Sequence, residues 1–88
     1  MMIGKVIGNV WATRKEDSLC GLKLMVVQRL DAANGGAKES FVAVDCVSAG
    51  IGEEVLVATG SSARKALRNQ EAPVDAAIVG IIDGCEEG

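Results

Sequence analysis

The chain has 88 residues, hydrophobic side chains at 49% of its positions, and a formal charge of -3 from 9 basic and 12 acidic residues. This length fits one domain, residues 1–88, and the scattered basic residues exclude an electrostatic surface for nucleic acid or anionic lipid. No apolar run approaches the roughly 20 residues of a membrane span, and the N-terminus lacks a signal-peptide pattern, so we expect a cytoplasmic protein. One small core is not expected to cover so much apolar surface, which predicts self-association.

The first two predicted strands are long and largely apolar. The first spans residues 3–13, and one of its faces carries only small or apolar residues: Gly4, Val6, Gly8, Val10 and Ala12. The second spans residues 19–30 and has one apolar face and one that is only partly polar. These two faces contain, respectively, Leu22, Leu24 and Val26, and Lys23, Met25, Val27 and Arg29.

A turn-rich segment, residues 31–40, comes next, with a hairpin tip predicted at Asn34-Gly35. Residues 41–47 form the third predicted strand and residues 53–58 the fourth. The connector between them is too rich in glycine to be helical and is expected to be flexible. It consists of Ser48, Ala49, Gly50, Ile51 and Gly52.

Residues 63–68 contain the only series of good helix formers and predict a helix of about two turns. The turn before it is Gly60-Ser61-Ser62, and we expect Ser61 or Ser62 to cap the first helical turn by accepting a backbone N–H bond. An alternative interpretation makes the same turn, together with Arg64, a cradle for an anion.

After Pro73, residues 74–83 form the fifth predicted strand, and the acidic tail, residues 83–88, is expected to fray. Five strands with one short helix between the fourth and the fifth predict an all-β fold, a small five-stranded OB-like barrel. Several strands are apolar on both faces, whereas the outer face of a single-layer barrel would meet water. Contact between subunits along the barrel wall would cover that surface.

The sequence offers little for catalysis. It contains no histidine, which excludes a Ser-His-Asp or Cys-His arrangement and the commonest metal ligand. The candidate acids lie at or near strand ends, where carboxylates are ordinarily solvated or bound to loop amides: Asp45, Asp75 and Asp83. The cysteines are widely spaced and are expected to be reduced thiols, buried or half-buried: Cys20, Cys46 and Cys85. We therefore expect no enzymatic activity, no metal site and no cofactor.

Trp11 stands on the mixed face of the first strand and has two interpretations, a core anchor or an interface hot spot. An alternative function is also open, since a free-standing OB-type barrel can bind single-stranded nucleic acid or a small anion. Such surfaces combine a positive groove with stacking aromatic side chains. This chain offers a net charge of -3, no tyrosine, one tryptophan and one phenylalanine.

Four blocks of the sequence, in their order and spacing, resemble the EutN/CcmL family, the pentameric vertex proteins of bacterial microcompartments. The blocks are residues 4–13 with Lys15, residues 22–28, residues 42–64, and residues 74–83. The chain departs from the family pattern at Ser48, where glycine is typical, and at Arg29, where proline is common. It also ends soon after Asp83, where many members continue.

The resemblance implies a structural shell protein in the cytoplasm. Its barrels would form a homo-pentamer that closes the fivefold corners of a shell otherwise built from hexameric shell proteins. It also implies that the connector from Ser48 to Gly52 reaches toward the central opening of the ring, although an ordinary connector is the simpler interpretation.

Overall fold

The computed structural model describes residues 1–11, 19, 21–30, 39–68 and 73–84. Its elements are β1 (Met2–Val10), β2 (Leu24–Arg29), β3 (Ser40–Asp45), β4 (Glu54–Thr59), α1 (Ser61–Leu67) and β5 (Ala76–Ile81). Hydrogen bonds close the five strands into a barrel in the order β1-β2-β3-β5-β4. The predicted barrel, with one short helix between the fourth and fifth strands, is confirmed.

Neighbouring strands run antiparallel around the barrel, except that β3 and β5 pair in parallel. Parallel neighbours cannot be joined by a tight hairpin, so the chain needs a longer connection between them. The connection here contains β4 and α1.

Side chains from every strand fill the interior of the barrel. The alternation of a strand sends every second residue inward. On β1 the predicted core face is confirmed at Gly4 and Val6, which are both buried, but it is wrong at Gly8 and Val10, which are only half-buried because the register shifts between Val6 and Gly8. The interior strand residues with no exposed surface are Val6, Val27, Val55, Val57 and Ile78, joined by Met25 and Ala43 at 1% exposure.

The more apolar face of β2 points outward. Met25 and Val27 occupy the interior. The charged residues of the same face flank them, with Lys23 exposed just before β2 and Arg29 half-buried at its last position. On the outer face, Leu22 and Leu24 pack against a second cluster beneath the helix. That cluster contains Val44, Ala63, Val74 and Ala77.

At Gly4, β1 lies close to β2. A Cβ placed at this position would overlap Cγ1 of Val27 and would lie 3.1 Å from the carbonyl oxygen of Gln28. Glycine is therefore required by packing. Farther along the same strand, a bulge between Val6 and Gly8 shifts the register with β2 and bends the strand around the barrel.

The predicted serine cap of the helix is wrong. Gly60 occupies the N-cap with φ 62, and within the described residues no side chain makes a capping hydrogen bond there. Because glycine alone adopts this backbone conformation readily, the helix begins at Ser61, and both serines belong to its first turn. Arg64 donates from Nη1 to the carbonyl oxygen of Val74 at 3.1 Å, so it braces the entry to β5.

Several strand limits differ from those predicted. Residue 19 lies in a short helical turn, where the N–H of Leu22 bonds the carbonyl of Leu19 at 3.2 Å, so β2 begins only at Leu24. The fifth strand is Ala76–Ile81, inside its predicted limits. The hairpin tip at Asn34-Gly35, the end of the first predicted strand after Trp11, and the tail after Gly84 lie outside the described residues. No helix in the described ranges is long and apolar enough to cross a membrane.

Candidate functional site

The loop between β3 and β4, residues 46–53, contains the predicted axis residues Ser48, Ala49, Gly50, Ile51 and Gly52. Two of its residues have a positive backbone φ: Ser48 with φ 61 and Gly52 with φ 93. Between them, Ala49 is fully buried in the barrel cluster, whereas Ile51 keeps 61% of its surface exposed. The loop therefore inserts one small residue into the barrel and presents one large apolar residue to the outside.

An ion pair between Lys23 and Asp45 supports the start of this loop. Asp45 ends β3 with a side chain that has no exposed surface, and its Oδ1 accepts a hydrogen bond from the N–H of Val47 at 3.0 Å. Its Oδ2 lies 3.6 Å from Nζ of Lys23, which also donates to the carbonyl of Ala49 at 3.4 Å. Because Oδ2 has no hydrogen-bond partner within the described residues, the Lys23 ammonium is the charge that compensates the buried carboxylate.

The far end of the loop is fastened to β1 and to itself. The N–H of Gly50 donates to Oε1 of Glu53 at 2.6 Å, and the N–H of Glu53 returns a bond to the carbonyl of Gly50 at 3.2 Å. Gly52 donates to the carbonyl of Val6 at 2.8 Å, while Val6 donates to the carbonyl of Glu53 at 3.0 Å. The expected flexible connector is thus a turn held by hydrogen bonds at both ends.

Trp11 lies just beyond β1 and keeps 92% of its surface exposed in the single subunit. It borders a shallow groove of about 280 Å³ lined by Asn9, Val10, Trp11, Leu22, Lys23 and Leu24. Of the two interpretations of this residue, the core anchor is wrong. The interface hot spot stays a prediction.

Cys46 is exposed, so the expectation of a buried or half-buried thiol is wrong at this position. Partial desolvation of the sulfur and, to a smaller extent, the neighbouring Asp45 carboxylate raise the pKa of the Cys46 thiol. A thiol with a raised pKa is a weak nucleophile at neutral pH. Cys20 and Cys85 lie outside the described residues.

The remaining candidate groups do not assemble into a reactive centre. Asp75 and Asp83 are exposed, at opposite ends of β5. Among the residues that the structure describes, no three histidine, cysteine, aspartate or glutamate side chains come together as they would around a metal ion. These residues instead offer surface for contact with other proteins: the hydrogen-bonded loop between β3 and β4, the exposed indole of Trp11, and apolar side chains on the outer wall of the barrel.

Comparison with known proteins assigns residues 1–83 to a family model described as "Ethanolamine utilisation protein EutN/carboxysome". The carboxysome shell vertex protein CcmL of Synechococcus elongatus is 52% identical over 83 residues, covering 94% of this chain and 84% of that protein. The bacterial microcompartment shell vertex protein GrpN of Rhodospirillum rubrum is 48% identical over 86 residues, covering 98% and 97%.

Solved structures agree in fold over almost the whole chain. The pentameric microcompartment shell protein GrpN of Rhodospirillum rubrum superposes with a TM-score of 0.84 and 47% identity, covering 99% of this chain and 100% of that one. CcmL of Gloeobacter violaceus gives a TM-score of 0.88 at 40% identity, covering 99% and 90%.

Proposed function

The chain belongs to the EutN/CcmL family, and from that premise we propose that it is a structural shell protein whose pentamers cap the fivefold vertices of a bacterial microcompartment. One observation carries the proposal. The barrel matches a protein described as a pentameric microcompartment shell protein over 99% of this chain and the whole of the other. In this proposal residues 1–88 act as one shell domain.

The geometry of a closed shell explains why such a subunit is needed. A flat lattice of hexagonal tiles closes into a polyhedron only when fivefold positions are added. A head-to-tail contact that repeats around a ring and closes gives a finite assembly of fixed size. We propose that hexameric shell proteins surround this pentamer, within a shell in the cytoplasm.

Neither nucleic acid nor membrane is a partner in this proposal. Of the basic side chains, Lys23 pairs with Asp45, Arg29 lies 3.4 Å from Glu39, and Arg64 bonds the carbonyl of Val74. These three cations are engaged by groups of the subunit itself, whereas a single-strand-binding barrel requires a positive groove lined by stacking aromatic side chains. The turn at Gly60-Ser61-Ser62 opens a helix of only seven residues. Among the residues that the structure describes, no contact favours the anion-binding alternative.

The loop from Ser48 to Gly52 is proposed to surround the fivefold axis. Its hydrogen bonds hold the backbone turn. Four of its five residues are small, which suits a position where five copies converge, and Ile51 is its one large side chain. The bulky substitution Ser48→Trp is then expected to crowd its symmetry mates and lower the stability of the ring relative to that of the subunit. A pentamer structure with this loop on the outer rim would contradict the placement.

Shell closure tests the function directly. Hexameric shell proteins of the same microcompartment would be produced with and without this chain, and the particles imaged by electron microscopy. We expect closed polyhedra only when the chain is present, and open sheets or tubes when it is omitted. Shells that close equally well without it would contradict the proposed function.

A further inference from the structure

The loop between β3 and β4 carries one large apolar side chain at its turn. Ile51 keeps 61% of its surface exposed, whereas the other residues from 48 to 52 are serine, alanine or glycine. A single exposed isoleucine is ordinary on a protein surface. The meaning of Ile51 therefore depends on how the loop holds it and on which charges lie beside it.

Ile51 stands at the corner of a tight turn. The N–H of Glu53 bonds the carbonyl of Gly50 at 3.2 Å, which closes a four-residue β-turn with Ile51 and Gly52 at its two central positions. Gly52 has φ 93, as the third residue of a type II turn requires. In such a turn the second residue lies at the bend, so Ile51 carries its side chain at the tip of the loop.

Hydrogen bonds on both sides of Ile51 fix its place. The N–H of Gly50 donates to Oε1 of Glu53 at 2.6 Å, and the N–H of Gly52 donates to the carbonyl of Val6 on β1 at 2.8 Å. The barrel wall thus sets the position of this turn. Copies related by a symmetry axis would present Ile51 to that axis in the same way.

Several charges near the loop are compensated within the subunit. The buried carboxylate of Asp45 lies 3.6 Å from the Lys23 ammonium, which also donates to the carbonyl of Ala49. Partial desolvation raises the pKa of the Cys46 thiol, so this group is neutral at neutral pH. The start of the loop therefore offers no net charge.

Glu53 is the one charged residue of the loop, residues 46–53, and it is exposed. A ring of carboxylates attracts cations, whereas an apolar constriction blocks ions by expelling water. Glu53 stands where the turn closes, with one oxygen bound to the N–H of Gly50, and Ile51 stands at the bend. The turn geometry thus favours Ile51 as the residue nearest to a facing copy.

We propose that in the pentamer the five Ile51 side chains meet on the fivefold axis and form an apolar constriction that closes the central opening to hydrated ions and charged metabolites. This inference rests on the proposed function, because the ring and the placement of the loop at its axis are its premises. Aliphatic side chains offer no group that replaces the hydration shell of an ion. The vertex thus seals the shell against charged solutes.

Converting the apolar ring into a ring of carboxylates tests whether the side chains meet. Ile51→Glu brings five carboxylates to one point, and Ca²⁺ binds such sets of oxygen ligands. We expect one Ca²⁺ per pentamer in isothermal titration calorimetry, bound at least about 100-fold more tightly than by the wild type. Where repulsion between the carboxylates dissociates the ring, added Ca²⁺ should restore the pentamer in native mass spectrometry.

Two variants control for this result. Ile51→Gln has nearly the same shape as Ile51→Glu without its charge, and it should gain no Ca²⁺ site. Ser62→Glu adds the same charge at an exposed position in the first turn of α1, and it should also gain none.

A crystal structure of the wild-type pentamer, soaked in rubidium bromide, tests the closure itself. The Ile51 side chains should lie within roughly 4.5 Å of their neighbours around the axis. Neither an ion nor an ordered water should lie between them, since anomalous scattering would reveal rubidium or bromide there.

The outcomes separate this inference from the proposed function. A wild-type ring that binds one Ca²⁺ per pentamer, or an ion on its axis, would make the opening a charged or hydrated one and overturn the inference alone. An Ile51→Glu ring that binds Ca²⁺ no better than Ser62→Glu does the same. A loop on the outer rim overturns the inference together with the axis placement, and a monomeric wild type overturns the ring itself.

Discussion

The inner and outer faces of the barrel wall are built from the same residue types, yet they differ in what covers them. On β2, Met25 and Val27 are closed off inside the barrel, while Val42 on the outside of β3 keeps 47% of its surface exposed. Branched aliphatic residues favour strands on either face. The interior set therefore stabilises the subunit, and we expect a neighbouring subunit to cover the exterior set.

The largest expected difference between the faces comes from adding a charge to each. Val57→Asp buries a carboxylate without a partner in the barrel interior and should cost more than about 4 kcal/mol, enough to unfold a domain of this size. Thermal unfolding followed by circular dichroism measures this loss. The matching change on the outside, Val42→Asp, should leave a folded subunit. If Val57→Asp and Val42→Asp lost folding to the same extent, this would contradict the difference between the inner and outer faces of the wall.

Two glycines on β1 sharpen the same comparison. Gly4→Ala forces a methyl group into Val27 and should destabilise the subunit by about 1–3 kcal/mol. Gly8→Ala meets Val26 at an ordinary contact distance of 3.9 Å and should change subunit stability by less than about 1 kcal/mol. Urea unfolding of both variants decides this, and a Gly4→Ala variant as stable as the wild type would contradict the close approach.

The ion pair at the end of the barrel should matter less than the apolar interior. Lys23→Met removes the counter-charge of the buried Asp45 carboxylate, but 54% of the Lys23 side chain is exposed, so water screens the pair. We expect a loss of about 1–2 kcal/mol. A double-mutant cycle with Asp45→Asn isolates the coupling. A coupling energy near zero would mean that Asp45 acts on the loop through Val47 alone.

The smallest expected effect is a gain. Ser48 has φ 61, a backbone conformation that costs a residue with a side chain about 1 kcal/mol. Ser48→Gly, which restores the residue typical of the family, should therefore stabilise the subunit by about 0.5–1 kcal/mol. Ser48→Ala is the control, since it removes the hydroxyl and keeps the Cβ. A variant Ser48→Gly no more stable than Ser48→Ala would contradict the strain.

Alternation and glycine punctuation were enough to predict the five strands, the position of the helix and the barrel. The prediction of a serine cap was wrong because the pattern Gly-Ser-Ser does not reveal where the helix begins. That point depends on the φ of Gly60, 62, a conformation set by the turn from β4. The predicted start of β2 was wrong for a similar reason, because a local helical turn at Leu19 replaces the extended chain there.

The contacts that tie the candidate loop to β1 and to Lys23 were missed because they are distant in sequence. Lys23 and the carbonyl of Ala49 are 26 residues apart. A signal was present, since Lys23 shares the face of Met25 and Val27, and Asp45 shares that of Ala43. Two opposite charges on inward faces of neighbouring strands predict a pair at the end of the barrel.

The mass of the purified protein tests the central claim, that the apolar outer wall joins five subunits in a ring. Native mass spectrometry at micromolar concentration should give about 45.5 kDa, five copies of the 9.1 kDa chain. Because the proposed contacts are largely apolar, this mass should persist at high salt. A stable monomer of 9.1 kDa would contradict the account, and a hexamer would contradict its stoichiometry.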